Sequence, residues 1–263
     1  MSCFELEERP DGVAVVAANR PPVNAMSPDL CAELEQVVTR LSARDDVQVV
    51  VFASRVPDHF LVGFDLDFLA ERLKRGFTDR DMEELRAIAR QVHRTMDAVE
   101  AMPQPTIAAI SGHAVGGGAE LALACDYRFM ADDARFRIGL PEVLLGLVPA
   151  AGGTHRLVRL LGRGAAMPLL LEGRRLAPAD ALRLGLVHEL APRDALPQAV
   201  DAACARLRAG GRMAQAMVKR CVRAGMEGPQ AGNSMEEMAF GACAGSQDAR
   251  DRILAFLERS KRG

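Results

Sequence analysis

The chain has 263 residues, which is long enough for two domains, although α/β folds of this length often form one unit. Hydrophobic residues make up 49% of it and can bury a large core, yet no apolar run approaches the roughly 20 residues of a transmembrane helix. A net charge of −2 gives no reason to expect nucleic acid or an anionic membrane as a partner.

Three further features of the sequence narrow the class of protein: the N-terminus, the cysteines and the histidines. Residues 1–8 are acidic and lack the basic and apolar regions of a signal peptide, so a cytoplasmic location is expected. The six cysteines are scattered without a C-x-x-C pair, which indicates reduced thiols that mostly serve packing. The five histidines form no triad or metal-binding pattern. A metal site is therefore not expected.

Predicted strands and helices alternate over the first half of the chain. The predicted strands span residues 4–8, 13–18, 47–53 and 106–110, and the predicted helices span residues 28–42 and 82–102. An Arg-Pro-Asp-Gly turn sequence over residues 9–12 predicts a hairpin between the first two strands. Ser27 is the predicted N-cap of the first helix, with Pro28 as its first residue. Such alternation favours parallel strand pairing with right-handed crossovers.

From about Pro192 onward the pattern predicts helices alone. They span residues 197–207, 214–227, 235–244 and 248–260. We therefore divide the chain into a core over residues 1–191 and a helical C-terminal region over residues 192–263, both in one functional unit. These helices either cap the core or pack against neighbouring subunits, and the sequence alone leaves both possibilities open.

The most informative segment is residues 110–126, where a predicted strand meets a triple glycine and an apolar helix follows. Glycines let main-chain N–H groups approach a ligand closely. The first turn of a helix adds unpaired N–H donors and a partial positive charge. This combination predicts a site for an oxygen that gains negative charge during a reaction. The spacing fits neither a dinucleotide-binding loop nor a P-loop, and a ligand-free turn is the alternative.

Two glutamates accompany this segment. Glu120 lies in the first turn of the apolar helix, where a buried carboxylate needs a partner or a function. Glu142 follows a proline in the segment over residues 139–146, where an ordinary loop carboxylate is the alternative interpretation. Two carboxylates beside an oxyanion site indicate acid–base chemistry next to a carbonyl group.

Taken together, these segments resemble the enoyl-CoA hydratase/isomerase (crotonase) superfamily. Further matching segments are residues 19–26, 59–66, 149–157, 176–181, 185–187 and 256–259. The resemblance covers nearly the whole chain in one order. It implies an α/β fold built as a crotonase-like spiral of ββα repeats, with a C-terminal helical oligomerisation region. It also implies a homotrimer or a dimer of trimers.

The resemblance assigns roles to four residues. The main-chain N–H groups of Phe64 and Gly117 would form the oxyanion hole for a thioester carbonyl, and Glu120 and Glu142 would be the catalytic carboxylates. Glu120 is expected to orient and deprotonate a water molecule, while Glu142 delivers a proton to C2. Phe64 stands where many relatives carry alanine, so its ring is expected to reshape the acyl pocket.

The expected substrate is an acyl-CoA thioester, which brings coenzyme A with it, so no permanently bound cofactor is expected. The residues that the resemblance places against the substrate are Asn24, Ala25, Met26, Phe64, Asp65, Leu66, Gly116 and Arg259. Arg20 and Lys261 are further candidates for contacts with the phosphates. For Asp65 the alternative is a simple N-cap of a helix that begins at Leu66.

The reaction expected from these residues is that of an enoyl-CoA hydratase, addition of water across the 2,3 double bond. The segment over residues 137–139 is about two residues longer than in typical hydratases. Together with residues 21–24 it has the form found in enoyl-CoA isomerases, which shift a double bond from C3 to C2. Those isomerases generally lack a glutamate at position 120, so the carboxylate pair favours hydration. A catalytically silent scaffold with the same fold is the third alternative.

Overall fold

The computed structural model describes residues 2–260, so Lys261 lies outside the described part of the chain. The strands are β1 (Phe4–Glu8), β2 (Val13–Ala18), β3 (Ala25–Met26), β4 (Val49–Ser54), β5 (His59–Phe64), β6 (Thr106–Ile110), β7 (His113–Val115), β8 (Tyr127–Ala131), β9 (Ile138–Gly139), β10 (Arg175–Leu176) and β11 (Glu189–Ala191). The helices are α1 (Pro28–Ser42), α2 (Leu66–Arg75), α3 (Asp79–Ala101), α4 (Gly117–Ala124), α5 (Gly153–Leu171), α6 (Pro178–Arg183), α7 (Leu196–Arg208), α8 (Arg212–Glu227), α9 (Pro229–Ala244) and α10 (Gln247–Ser260). Short 3₁₀ helices span Glu142–Leu145 and Arg193–Ala195.

The larger sheet has the strand order β1-β2-β4-β6-β8-β11. The predicted hairpin is confirmed, because β1 and β2 pair antiparallel. All later neighbours pair parallel, as the strand–helix alternation predicted. The first four residues of β4 are buried on both faces, which explains their unbroken apolar sequence.

A second sheet, in the order β10-β9-β7-β5-β3, consists mostly of very short strands. The expectation that strand β6 leads directly into the triple glycine is wrong, because β7 intervenes and pairs with β5 in this second sheet. A strand of three residues is too short to show periodicity. The chain crosses between the sheets at Gly112, where an added Cβ atom would clash with the backbone of Asp58.

Helix ends follow local capping signals. The Ser27 hydroxyl accepts a hydrogen bond from the N–H of Leu30 at 3.2 Å, which confirms the predicted start of α1. Helix α3 begins at Asp79, three residues before the predicted start. The reason is a capping box, in which the side chain of Thr78 and that of Asp81 each accept a bond from the other residue's N–H.

Every element that follows β11 within the described residues is helical. Helix α7 packs against strands of the larger sheet, whereas α8 and α9 pack mainly against each other. The apolar side chains of α10 are exposed in the single chain; they are Ile253, Leu254, Phe256 and Leu257. Within residues 2–260, no helix combines the length and apolarity that a membrane span requires.

Candidate active site

A cavity of about 850 Å³ lies where the second sheet meets α2, α3 and the start of α4. Nine of the predicted site residues line it: Ala25, Met26, Phe64, Asp65, Leu66, Gly116, Gly117, Glu120 and Glu142. The structure thus brings together residues that are far apart in the sequence, from Ala25 to Glu142. Two predicted residues, Asn24 and Arg259, do not line this cavity.

The three glycines pack the start of α4 against strand β5. Gly116 has a φ of 56°, and an added Cβ atom would lie 2.8 Å from both the Cα of Gly63 and Oε1 of Glu142. A Cβ atom at Gly118 would clash with the carbonyl of Leu61 on β5. Gly117 is the first residue of the helix, so its N–H has no acceptor within the helix. The contacts of Gly116 and Gly118 explain why these two positions hold glycine.

Glu120 is 3% exposed, which confirms that its helix is buried. Its Oε1 atom accepts hydrogen bonds from the main-chain N–H groups of Ala151 and Gly153, each at 2.8 Å. Burial raises the pKa of the Glu120 carboxyl, while the two N–H bonds and the charge of Arg156 act in the opposite direction. The carboxylate is therefore fixed through one oxygen only.

Glu142 lines the same cavity and lies at the start of a 3₁₀ helix. Its Oε2 atom is buried and has no hydrogen-bond partner among the described residues. Burial raises the pKa of Glu142 to about 7, and the negative charge of Glu120 adds to this effect. A carboxyl group with such a pKa can hold or release a proton near neutral pH.

The ring of Phe64 contacts that of Phe68, which in turn contacts Arg72. It meets the ring of Phe68 edge to face, with 5.4 Å between the ring centroids. The guanidinium of Arg72 lies 3.8 Å from the centroid of the Phe68 ring. Phe64 thus lines the cavity while its ring packs against helix α2.

Asn24 supports the cavity wall from outside the lining. Its amide nitrogen donates to the Ser54 hydroxyl at 2.8 Å and to the carbonyl of Phe60 at 2.9 Å. Its amide oxygen accepts from the N–H of Arg20 at 2.7 Å, and its carbonyl accepts from the N–H of Val62. Asn24 therefore holds neighbouring parts of the cavity wall together, and its contact with the substrate stays a prediction.

Asp65 is an N-cap, as the alternative interpretation had it. Its side chain accepts from the N–H of Asp67 at 3.2 Å, and α2 begins at Leu66. It also pairs with Arg20 at 2.9 Å, and Arg20 itself lines the cavity. Arg259 lies in the last turn of α10 and does not line this cavity.

Sequence reasoning missed Arg156, which lies in the first turn of α5 and is 4% exposed. Its guanidinium donates to the carbonyl of Ala151, the residue whose N–H bonds Glu120. The sequence feature that points to this contact is the pair Gly152 and Gly153, which precedes Arg156 in the chain. Added Cβ atoms there would crowd Arg156 and Glu120, respectively.

These features define an α/β protein with a crotonase-like spiral and C-terminal helices. The sequence model of the family described as enoyl-CoA hydratase/isomerase matches residues 8–262. The chain therefore belongs to the enoyl-CoA hydratase/isomerase family, which confirms the resemblance seen in the sequence.

Individual relatives agree with this assignment. The chain is 35% identical to a crotonyl-CoA hydratase of Syntrophomonas wolfei over 257 residues, covering 97% of this chain and 95% of the relative. A crystal structure of an enoyl-CoA hydratase from Bacillus anthracis has a TM-score of 0.89 at 32% identity, covering 98% of this chain and 97% of that one. An enoyl-CoA hydratase structure from Geobacillus kaustophilus has a TM-score of 0.89 at 30% identity, covering 98% and 95%.

Proposed function

We propose that this chain is an enoyl-CoA hydratase, which adds water across the 2,3 double bond of an acyl-CoA thioester. The main support is that Glu120 and Glu142 line one cavity in two different environments. Glu120 is held by two N–H donors, whereas Glu142 has a pKa of about 7 and a free buried oxygen. The 35% identity to a crotonyl-CoA hydratase supports the same reaction.

The proposed oxyanion hole consists of the N–H groups of Phe64 and Gly117. When hydroxide adds at C3, electrons move toward the thioester oxygen, which becomes enolate-like. Donors that are already held in place stabilise this oxygen without reorganising, and one such donor is typically worth about 3–4 kcal/mol of barrier. The unpaired N–H at the start of α4 and the partial positive charge there suit this role.

Glu120 and Glu142 would divide the proton transfers. Oε1 of Glu120 is occupied by two donors, which leaves Oε2 to bind water and take its proton while the hydroxide oxygen bonds to C3. Glu142 in its protonated form gives its proton to C2. The product carries both elements of water, and the two carboxyl groups return to their starting states by proton exchange with solvent.

The cavity also limits the acyl group. Its side formed by α2 and α3 is apolar and is lined by Leu69, Leu85, Ile88, Ala89 and Val92. A hydroxyl or carboxylate on the acyl chain would lie here without a hydrogen-bond partner, which is costly. We therefore propose a hydrocarbon acyl chain, with coenzyme A entering beside Arg20.

We further propose a homotrimer or a dimer of trimers. The exposed apolar side chains of α10 support burial against another copy, and Arg259 would then serve a neighbouring site.

The alternative function is isomerisation of 3-enoyl-CoA to 2-enoyl-CoA. One observation favours it: the unpartnered Oε2 of Glu142 could carry a proton from C2 to C4 by itself.

The direct test is an assay of the purified protein with crotonyl-CoA and longer 2-enoyl-CoA thioesters, followed by the loss of conjugated-thioester absorbance. Glu120→Gln and Glu142→Gln should each lower kcat by about a hundredfold or more, with CoA-ester binding largely intact. Glutamine at position 120 can still accept both N–H bonds, so its loss of activity would reflect the missing base. Wild-type turnover in both variants would refute the acid–base assignment.

A further inference from the structure

Arg156 is a buried cation that donates hydrogen bonds to two carboxylates of α3 and to one carbonyl of the loop over residues 150–153. Its Nε donates to Glu100 at 2.9 Å, and Nη2 donates to Asp97 at 2.6 Å; both carboxylates belong to α3. Its Nη1 donates to the carbonyl of Ala151 at 3.0 Å. Burial of the guanidinium charge carries a high desolvation cost, which its three hydrogen-bond partners offset. Because the guanidinium is planar, these three bonds hold it in one geometry.

Ala151 connects this arginine to Glu120. Its carbonyl accepts from Arg156, and its N–H donates to Oε1 of Glu120 at 2.8 Å. The chain can turn between these two groups because Gly152 has a φ of 88°. A Cβ atom at Gly153 would lie 2.8 Å from Cγ of Glu120, so the loop closes directly on the carboxylate.

The contacts form one continuous path from α3 to Glu120. Helix α3 holds Arg156, Arg156 holds the carbonyl of Ala151, and Ala151 with Gly153 holds the carboxylate. We propose that Arg156 is a positioning residue for Glu120, acting through the carbonyl of Ala151. This inference rests on the proposed hydratase function, in which Glu120 binds and deprotonates water.

The charge of Arg156 has a second consequence. It lowers the pKa of Glu120 against the effect of burial and so favours the ionised base. The other titratable groups that respond to the charge of Glu120 are Glu142 and the buried thiol of Cys31. Loss of the arginine charge should therefore raise the pKa of Glu120, and the acidic limb of the kcat/KM profile should move to higher pH.

The test compares Arg156→Met and Arg156→Lys with Arg159→Met, a matched control in the same helix whose side chain is exposed. Arg156→Met should lower kcat about ten- to hundredfold with a much smaller change in KM, because a small misplacement of a catalytic group is costly. The acidic limb of its kcat/KM profile should move to higher pH, because the charge that lowers the pKa of Glu120 is lost. Arg156→Lys keeps the charge but cannot reach all three partners, so kcat should fall while the limb stays near that of the wild type. Arg159→Met should match the wild type in kcat and in the acidic limb of the kcat/KM profile.

Each outcome separates the two proposals. If the wild type hydrates no enoyl-CoA, the proposed function fails, and the carboxyl ¹³C resonance of Glu120, assigned with Glu120→Gln, still reports whether Arg156→Met raises its pKa. If the wild type is active and a folded Arg156→Met variant has the same kcat and the same acidic limb, the positioning role is overturned. If methionine prevents folding, Arg156→Lys decides, because wild-type kcat in that variant contradicts the proposal.

Discussion

Oε1 of Glu142 lies so close to Gly116 that a Cβ atom on this glycine would come within 2.8 Å of it. The carboxyl group of Glu142 therefore stands directly beside the residue that precedes α4, and Gly117, the first residue of α4, lines the same cavity. A thioester whose oxygen binds this N–H would have its C2 atom close to Glu142. The start of the helix thus links the proposed oxyanion hole to the proposed acid.

The first prediction concerns the N–H of Gly117. Gly117→Pro removes this donor and should lower kcat by about two to three orders of magnitude. Proline is well tolerated at the first position of a helix, where its fixed φ suits the backbone and no intrahelical bond is lost. Gly117→Ala is the matched control, since it keeps the donor but adds a Cβ atom that crowds the Met26 side chain. Equal losses in both variants would show that crowding, and not the donor, explains the effect.

The second prediction concerns pH. Because the pKa of Glu142 is raised to about 7, the group is mostly neutral below that pH and ionised above it. An acid that must be protonated makes kcat/KM for hydration fall as pH rises through about 7, and Glu142→Gln should remove this limb from the residual rate. A base at the same residue, as the isomerase mechanism requires, would make the rate rise over that range. The sign of the slope of kcat/KM against pH near pH 7 therefore distinguishes the hydratase mechanism from the isomerase mechanism.

The third prediction tests the acyl side of the cavity with two alanines of α3. Ala89 lines the cavity, whereas Ala87 is exposed on the same helix. Ala89→Phe should fill space there and lower the ratio of kcat/KM for decenoyl-CoA to that for crotonyl-CoA by about tenfold or more. Ala87→Phe should leave the ratio unchanged. An unchanged ratio in Ala89→Phe would show that the acyl chain lies elsewhere.

Local patterns were sufficient where the structure depends on neighbouring residues. Ser27 and Pro28 marked the start of α1, and the apolar helix around Glu120 predicted a buried carboxylate that needs partners. The glycines before it predicted a close backbone approach, which the contacts of Gly116 and Gly118 now explain.

Features that depend on distant contacts were not predictable in this way. Arg156 looks like an ordinary surface charge in a helix, and its burial depends on Asp97 and Glu100, which lie 59 and 56 residues earlier in the chain. The bonds of Asn24 to Arg20, Ser54 and Phe60 were not expected either, and its contact with the substrate stays a prediction. Four of the five strands of the second sheet escaped prediction because strands of two or three residues carry no periodic signal.

The central claim is that two carboxylates perform hydration, and one pair of assays tests it most directly. Hydration of a 2-enoyl-CoA and the shift of a 3-enoyl-CoA double bond are measured on the wild type and on Glu120→Ala. Hydration needs a base for water and an acid for C2, whereas the double-bond shift needs only one carboxylate. We expect hydration to be faster in the wild type, and Glu120→Ala to abolish hydration while sparing most of any isomerase activity. Faster isomerisation in the wild type, with little effect of Glu120→Ala, would contradict the account.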